Sequence, residues 1–270
     1  MATVDISDIS LYYERVGGGP TILFVHGIFG DADAWIDQAA RLSDRYTCVR
    51  YDRRGYTRST RGSATVTDAL HAADAAELIS ALGLAPCLVV GSSSGAAITV
   101  EVALRHPRLL RGVVLSEPPL FGAYPDAGEV LMREVGPRID EAMATGGPPE
   151  GVDAFMSTVC PGLWSIVDDD RKARYRANAE IGFTDLQSPS LDTAPADLAG
   201  VALPALVLSG SASHPSFRSV AHHLATALPD ARFVELEGSG HVTYAEVPDE
   251  FENAVRVFAA ELDRNAAASA

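Results

Sequence analysis

Short apolar runs rich in β-branched and aromatic residues alternate along the chain with stretches whose apolar positions recur every three or four residues. The runs are LYYERV (11–16), TILFV (21–25), YTCVR (46–50), CLVV (87–90), GVVLS (112–116), ALVLS (205–209) and RFVEL (232–236). The intervening patterns predict helices over about 32–42, 66–82, 94–105, 216–228 and 248–263. Near-continuous apolar strands separated by helices imply a mostly parallel sheet with helices on both faces, an α/β fold.

The alternation stops between Ser116 and Leu203, where no strand pattern occurs. EVLMREVGPRIDEAMAT and GVDAFMSTV read as helices there, and DDDRKARYRANAEIGF as a third, with its aspartates supplying cap and first-turn acids. A structureless loop of that length is uncommon in a compact domain, so the segment predicts an inserted helical cap. The expected division is a core of residues 1–119 and 196–270 with a cap over 120–195.

The pattern CLVV-GSSSG-AAITV places a small-x-Ser-x-small turn between a strand and a helix. In a sharp strand-to-helix turn the central residue, Ser93, stands exposed at the tip, while Gly91 and Gly95 avoid clashes with neighbouring backbone. Ser93 then sits at the positive end of a helix, with the amide of Ser94 free to hold an oxyanion. FVHGIFGD (24–31) follows another strand, and its turn presents the amide of Ile28, with Gly27 as the alternative, as a second donor. ELEGSGHVTYAEVPDEF (235–251) places His241 in a glycine-flanked loop after the last strand, the one histidine of seven positioned for general-base work.

Charge and cysteine content narrow the partners. Twenty-one Lys and Arg against 36 Asp and Glu give a net charge of -15, which disfavours nucleic acid and anionic membranes. Cys48, Cys87 and Cys160 show no metal-ligand or disulfide spacing, and His222 and His223 are adjacent and diverge on a helix, so no metal site is expected. No basic-then-apolar leader and no long apolar run appear, which predicts a cytoplasmic protein. A homodimer is compatible with the sequence.

The motifs HG, DxRGxxxS (Asp52 to Ser59), GxSxG and GxGH, in that order, make the chain resemble the α/β-hydrolase superfamily over essentially its full length. The resemblance implies an eight-stranded, mostly parallel sheet flanked by helices (the α/β-hydrolase fold), a nucleophile at Ser93, a base at His241, an acid to orient it, and no cofactor. Thr57 stands where the family's loop usually has glycine. The family's acid usually follows the strand corresponding to ALVLS, but this chain reads Gly210-Ser211-Ala212-Ser213 there. Serine supplies no negative charge, so either the acid lies elsewhere or the enzyme is crippled. Glu117, directly after GVVLS and followed by Pro118-Pro119, is the leading candidate, with Asp52 as runner-up. Gly91 to Ala96, Glu117 with Pro119, and the acid-free Ser209 to Ser213 turn are together similar to the zearalenone lactonases, fungal enzymes that open a resorcylic macrolactone. Haloalkane dehalogenases also place the acid here, but their nucleophile is aspartate, and Ser93 excludes them. The expected activity is hydrolysis of a small-molecule ester or lactone through an acyl-enzyme. A general carboxylesterase, or a sensor with residual hydrolase activity, is the alternative. Leu120, Phe121, Trp164 and Phe183 are candidate lining residues of the substrate pocket.

Overall fold

The computed structural model describes residues 2–188 and 194–269. Eight strands form one sheet: β1 (Ala2–Ile6), β2 (Ile9–Val16), β3 (Thr21–Val25), β4 (Thr47–Tyr51), β5 (Cys87–Ser92), β6 (Leu110–Ser116), β7 (Ala205–Gly210) and β8 (Ala231–Leu236). Their order is β1-β2-β4-β3-β5-β6-β7-β8. Strand β2 runs antiparallel to both its neighbours, and all later pairings are parallel. The α/β expectation therefore holds. The strand missing from the sequence pattern is β1, an edge strand whose residues are mostly exposed, so it carries little of the apolar signal that marks the buried strands.

Alternate strand residues feed two cores, as the pleat requires. Ile22, Phe24, Leu88, Val90 and Leu206 face one side, where they meet α1 (Ile36–Leu42) and the C-terminal helix through Leu42, Phe251 and Phe258. Leu23, Val25, Val89, Val113 and Val207 face the other, packed on α2 (Asp68–Ala81), α3 (Ser94–Arg105) and a later helix through Leu78, Ile98 and Leu224.

Among the described residues between β6 and β7 lie five α-helices, α4 (Pro125–Gly146), α5 (Pro148–Val159), α6 (Pro161–Ile166), α7 (Asp169–Ala177) and α8 (Ala179–Gln187), and one short 3-10 helix (Asp197–Gly200). The pattern read as one helix over 168–183 is two, because Asn178 leaves the helical ladder. Its side-chain amide donates to the carbonyls of Phe29 and Gly30 at 3.0 and 3.1 Å, and its oxygen accepts from the Thr57 amide at 3.0 Å. Arg174 pairs with Asp31 and Asp33 close by, so the junction of α7 and α8 is bound to the loops after β3 and β4 by polar contacts. Helices α9 (Pro215–Ala227), α10 (Thr243–Glu246) and α11 (Pro248–Ser269) complete the chain. No helix of the described residues is long and apolar enough to cross a membrane.

Candidate active site

Four loops leaving the C-terminal ends of β3, β5, β6 and β8 bring Gly27-Ile28, Ser93, Glu117 and His241 together. Such strand ends are where open parallel sheets bind ligands. Ser93 has φ 53° and ψ −129°, a conformation that costs an L-residue free energy and persists only when its surroundings enforce it. Its amide donates to the Ser116 carbonyl at 2.9 Å, fixing the turn to β6. A Cβ at Gly91 would stand 2.3 Å from the Gly95 carbonyl oxygen, and one at Gly95 would stand 2.3 Å from that of Val25. The small residues flanking the serine are therefore sterically required.

His241 Nε2 lies 3.0 Å from Ser93 Oγ, and its Nδ1 lies 3.2 Å from Glu117 Oε2. Glu117 is fully buried and has a left-handed backbone, φ 53°, stabilised by donation from its amide to Leu208 at 3.0 Å. Its Oε1 accepts from the Ser209 hydroxyl at 2.7 Å and the Gly210 amide at 2.8 Å, and its Oε2 accepts from the Ser213 hydroxyl at 2.5 Å. The turn that lacks an acid thus supplies the donors for one reaching over from β6. A buried carboxylate with four donors is the arrangement that keeps such a charge tolerable away from water. The sequence singled out Ser209 and Ser213 only for what they lack; their presence around an otherwise unexplained gap was the available signal.

Asp52, the runner-up acid, is committed elsewhere. It accepts from the Ala32 amide at 2.8 Å and from the Arg58 guanidinium at 2.7 and 2.8 Å. Thr57, the departure from glycine in the same loop, takes φ 37° and is held by Asn178 and by Asp31, whose Oδ2 accepts from its hydroxyl at 3.2 Å.

The His241 loop has a support that the motifs did not reveal. Glu246 accepts from the amides on either side of the histidine, Gly240 at 2.8 Å and Val242 at 3.2 Å. Phe217 of α9 lies against the imidazole with ring centroids 4.0 Å apart. The hydroxyls of Ser116 and Thr243 share a 2.8 Å hydrogen bond that ties the Glu117 and His241 loops together.

The amides of Ile28 and Ser94 have no internal acceptor among the described residues. The Gly27 carbonyl beside them accepts from Gly30, from His26 Nδ1 at 2.8 Å and from Arg53. Burial, reinforced by Arg53, holds the His26 pKa well below its ordinary value. The neutral ring therefore donates from Nδ1 while Nε2 accepts from the Arg53 amide at 3.0 Å. His71 is buried and lies 3.2 Å from the Asp185 carboxylate, which also pairs with the buried Arg53 at 3.0 Å.

A cavity of about 410 Å³ opens on Ser93 and Ser94, with walls that include Ile28, Phe121, Leu131, Phe155 and Phe217. Of the four apolar residues singled out from sequence, Phe121 lines it. Leu120 is buried in the core, Phe183 packs edge-on against Phe29, and Trp164 packs edge-on against Tyr175. Among the described residues no three His, Cys, Asp or Glu side chains are grouped to hold a metal.

A buried carboxylate, an imidazole and a hydroxyl in hydrogen-bonded series, facing two unpaired amides, can shuttle a proton from the hydroxyl and hold an oxyanion. Known proteins are similar to this chain. RutD of Azorhizobium caulinodans, whose name proposes a carbamate hydrolase, is 29% identical over 273 residues, covering 95% of this chain and 97% of RutD. The uncharacterized hydrolase YraK of Bacillus subtilis is 38% identical over 124 residues, 44% of this chain, and the match spans only 45% of YraK. The solved enol-lactonase from Burkholderia xenovorans LB400 superposes with a TM-score of 0.73 at 25% identity, covering 96% of this chain and all of that one. The sequence profile described as "Alpha/beta hydrolase family" matches residues 22–254, a span that holds the serine, the glutamate and the histidine alike, and by that match the chain belongs to the alpha/beta hydrolase family of enzymes.

Proposed function

We propose that the protein is a serine hydrolase that cleaves a carboxylic ester or lactone through an acyl-enzyme. The observation that carries this is the unbroken series Glu117 Oε2, His241 and Ser93 Oγ, with contacts of 3.2 and 3.0 Å, at the mouth of a mainly apolar cavity. His241 takes the Ser93 proton as the hydroxyl oxygen attacks the carbonyl carbon. The amides of Ile28 and Ser94 hold the resulting oxyanion, a contribution of roughly 3–4 kcal/mol per donor in comparable sites. Collapse expels the alkoxide, which His241 protonates, and His241 then activates the water that releases the acid. Glu117 stabilises the imidazolium in both halves and keeps the proton on Nδ1 in the resting enzyme. The reaction consumes only water.

In this reading residues 120–195 form a cap over a core of 1–119 and 196–270, and Phe121 contributes to the acceptor cavity. A competing reading takes a resorcylic macrolactone as substrate in place of an open-chain ester. It is supported by the position of Glu117 ahead of Pro119 and by a cavity whose volume lies within the ordinary range for small-molecule sites.

The test is hydrolysis of p-nitrophenyl esters, simple lactones and zearalenone by the wild type and Ser93→Ala, with products identified by mass. Ester or lactone turnover that disappears in Ser93→Ala supports the reading. Equal turnover by both proteins would sink it. Ring-opened zearalenone would support the macrolactone, whereas cleavage of simple esters alone would make the enzyme a general esterase.

A further inference from the structure

Two cavities meet at Ser93, and they differ in size by more than tenfold. The larger, about 410 Å³, has already been described. The smaller, about 30 Å³, is walled by Met156, Cys160, Leu163, Tyr175, His241 and Tyr244. Ser93, Ile28 and Phe155 line both, so the junction falls where an attacked carbonyl would sit. Once Ser93 Oγ has bonded to that carbon and the amides of Ile28 and Ser94 hold its oxygen, the two remaining substituents must diverge, one into each cavity.

Volume decides what the smaller side accepts. One water needs roughly 10–15 Å³ of such space, so about 30 Å³ holds around two non-hydrogen atoms, the room for one or two carbons when the leaving oxygen itself stands at the junction. Chemistry decides which flank goes there. The imidazole that protonates the leaving oxygen also deprotonates the attacking water, so alkoxide and water must occupy the same side in turn. His241 lines the smaller cavity. That cavity is also otherwise uncharged: burial pushes the Cys160 thiol up beyond its ordinary range and the Tyr175 phenol up to about 12.

On the serine-hydrolase reading above, we propose that the substrates are esters joining a bulky, apolar acid to an alcohol of one or two carbons, with the acyl group in the large cavity and the alcohol in the small one. The Ser93 Oγ–carbon bond forms and the carbon–alkoxy bond breaks, and the proton that His241 took from Ser93 passes to the departing oxygen. The alcohol leaves and water enters the vacated space. The water gives its oxygen to the acyl carbon and one proton to His241, which returns it to Ser93 as the acid departs. The carboxylates of Asp68, Glu129 and Asp185 line the large cavity and no cationic side chain is among its lining residues, which favours an acyl chain without its own negative charge.

The isomers methyl 4-phenylbutanoate and 3-phenylpropyl acetate have identical composition and opposite distributions of bulk. The methyl ester should show kcat/KM higher by roughly tenfold or more, and butyl 4-phenylbutanoate should be similarly disfavoured. Met156→Ala and Leu163→Ala, each checked for folding by its thermal melt, enlarge the small cavity and should raise the butyl ester toward the methyl ester. Equal or faster cleavage of the acetate would overturn the assignment of flanks. A butyl ester as good as the methyl ester in the wild type, or zearalenone opened as fast as the methyl ester, would overturn the size limit. Labelling with a fluorophosphonate, located by mass, separates the two layers of the argument. A labelled Ser93 with the wrong preference defeats this proposal alone, whereas an unlabelled Ser93 with no ester cleaved defeats the serine-hydrolase reading itself.

Discussion

Glu117 reaches His241 from the strand next to the nucleophile strand, its Oε2 3.2 Å from Nδ1 and within 2.5 Å of the Ser213 hydroxyl. Ser213 stands where the superfamily resemblance leads one to expect the acid, and its hydroxyl donates instead to the carboxylate that arrives from β6. Glu117→Gln keeps the shape and one of the two acceptor oxygens but removes the charge. Its kcat on a p-nitrophenyl ester should fall by roughly 10⁴ with little change in KM, since losing a triad acid's charge costs about that much in related machinery. In that background Ser213→Asp should recover part of the loss, by restoring a negative charge on the same side of the imidazole. A steady-state comparison of the two variants checks both statements, and full activity in Glu117→Gln would remove the glutamate from the mechanism.

The parts of this site that were legible in the sequence are those whose chemistry is local. Gly91-Ser92-Ser93-Ser94-Gly95 is readable because steric necessity acts over two residues on either side of Ser93, and the structure gives the clash distances that enforce it. The five buried strands of the sheet centre are readable because burial on both faces leaves them predominantly apolar, with Arg50 in β4 and Arg111 in β6 as the charged exceptions. What stayed hidden depends on contacts between distant segments. Glu246 lies just ahead of the C-terminal helix, and nothing local marks it until the fold brings it under the His241 loop. His71 has the sequence context of a surface residue because its partner, Asp185, lies 114 positions away. Asn178 splits a helix that periodicity joins, since its partners are carbonyls of the loop after β3.

Glu246 is a positioning residue. It touches neither Ser93 nor Glu117, but it holds the amides of Gly240 and Val242 and so sets where the imidazole between them stands. Glu246→Ala should lower stability by about 1–3 kcal/mol, the cost of leaving donors of charge-assisted bonds without an acceptor. It should also reduce kcat by roughly tenfold or more, with KM nearly unchanged, because a small displacement of the base acts on the chemical step. Glu246→Gln keeps an acceptor oxygen for one of the two amides and should recover part of the activity. A purely structural role predicts lower Tm with an unaltered kcat per folded molecule.

Gly95 tests the steric account of the elbow separately from its chemistry. An added Cβ would stand 2.3 Å from the Val25 carbonyl oxygen and 2.7 Å from that of His26, both rigid backbone at the end of β3. Gly95→Ala should therefore destabilise the fold by on the order of 3 kcal/mol or more, through overpacking against atoms that cannot turn aside. Chemical denaturation reads the change directly. A variant within about 0.5 kcal/mol of the wild type would mean that α3 shifts freely against β3, and the requirement for a small residue there would need another cause.

Two aspartates beside Arg53 give stability opposite dependences on pH. Burial lifts the Asp68 carboxyl from 3.8 to about 6, with Arg53 opposing the rise. Its folded pKa exceeds the unfolded one, so its contribution is favourable below about pH 4 and is lost as pH rises through 6. Asp185 behaves in the other sense. Burial works against its charge, but Arg53, His71 and the Tyr56 hydroxyl prevail and bring it down to about 2. Its contribution is present above about pH 4 and is lost as pH falls toward 2. Asp68→Asn should thus raise stability by roughly 1–3 kcal/mol at pH 7.5 and leave it nearly unchanged at pH 3.5. Asp185→Asn should cost about 3–5 kcal/mol at pH 7.5, because it strands a buried guanidinium, and the deficit should shrink toward pH 2. Denaturation of the three proteins at pH 2.5, 3.5, 5 and 7.5 checks both signs. Parallel curves for Asp68→Asn and the wild type would show that Asp68 is solvated like an ordinary surface carboxylate, and the acidic edge of the cavity would then be open to water.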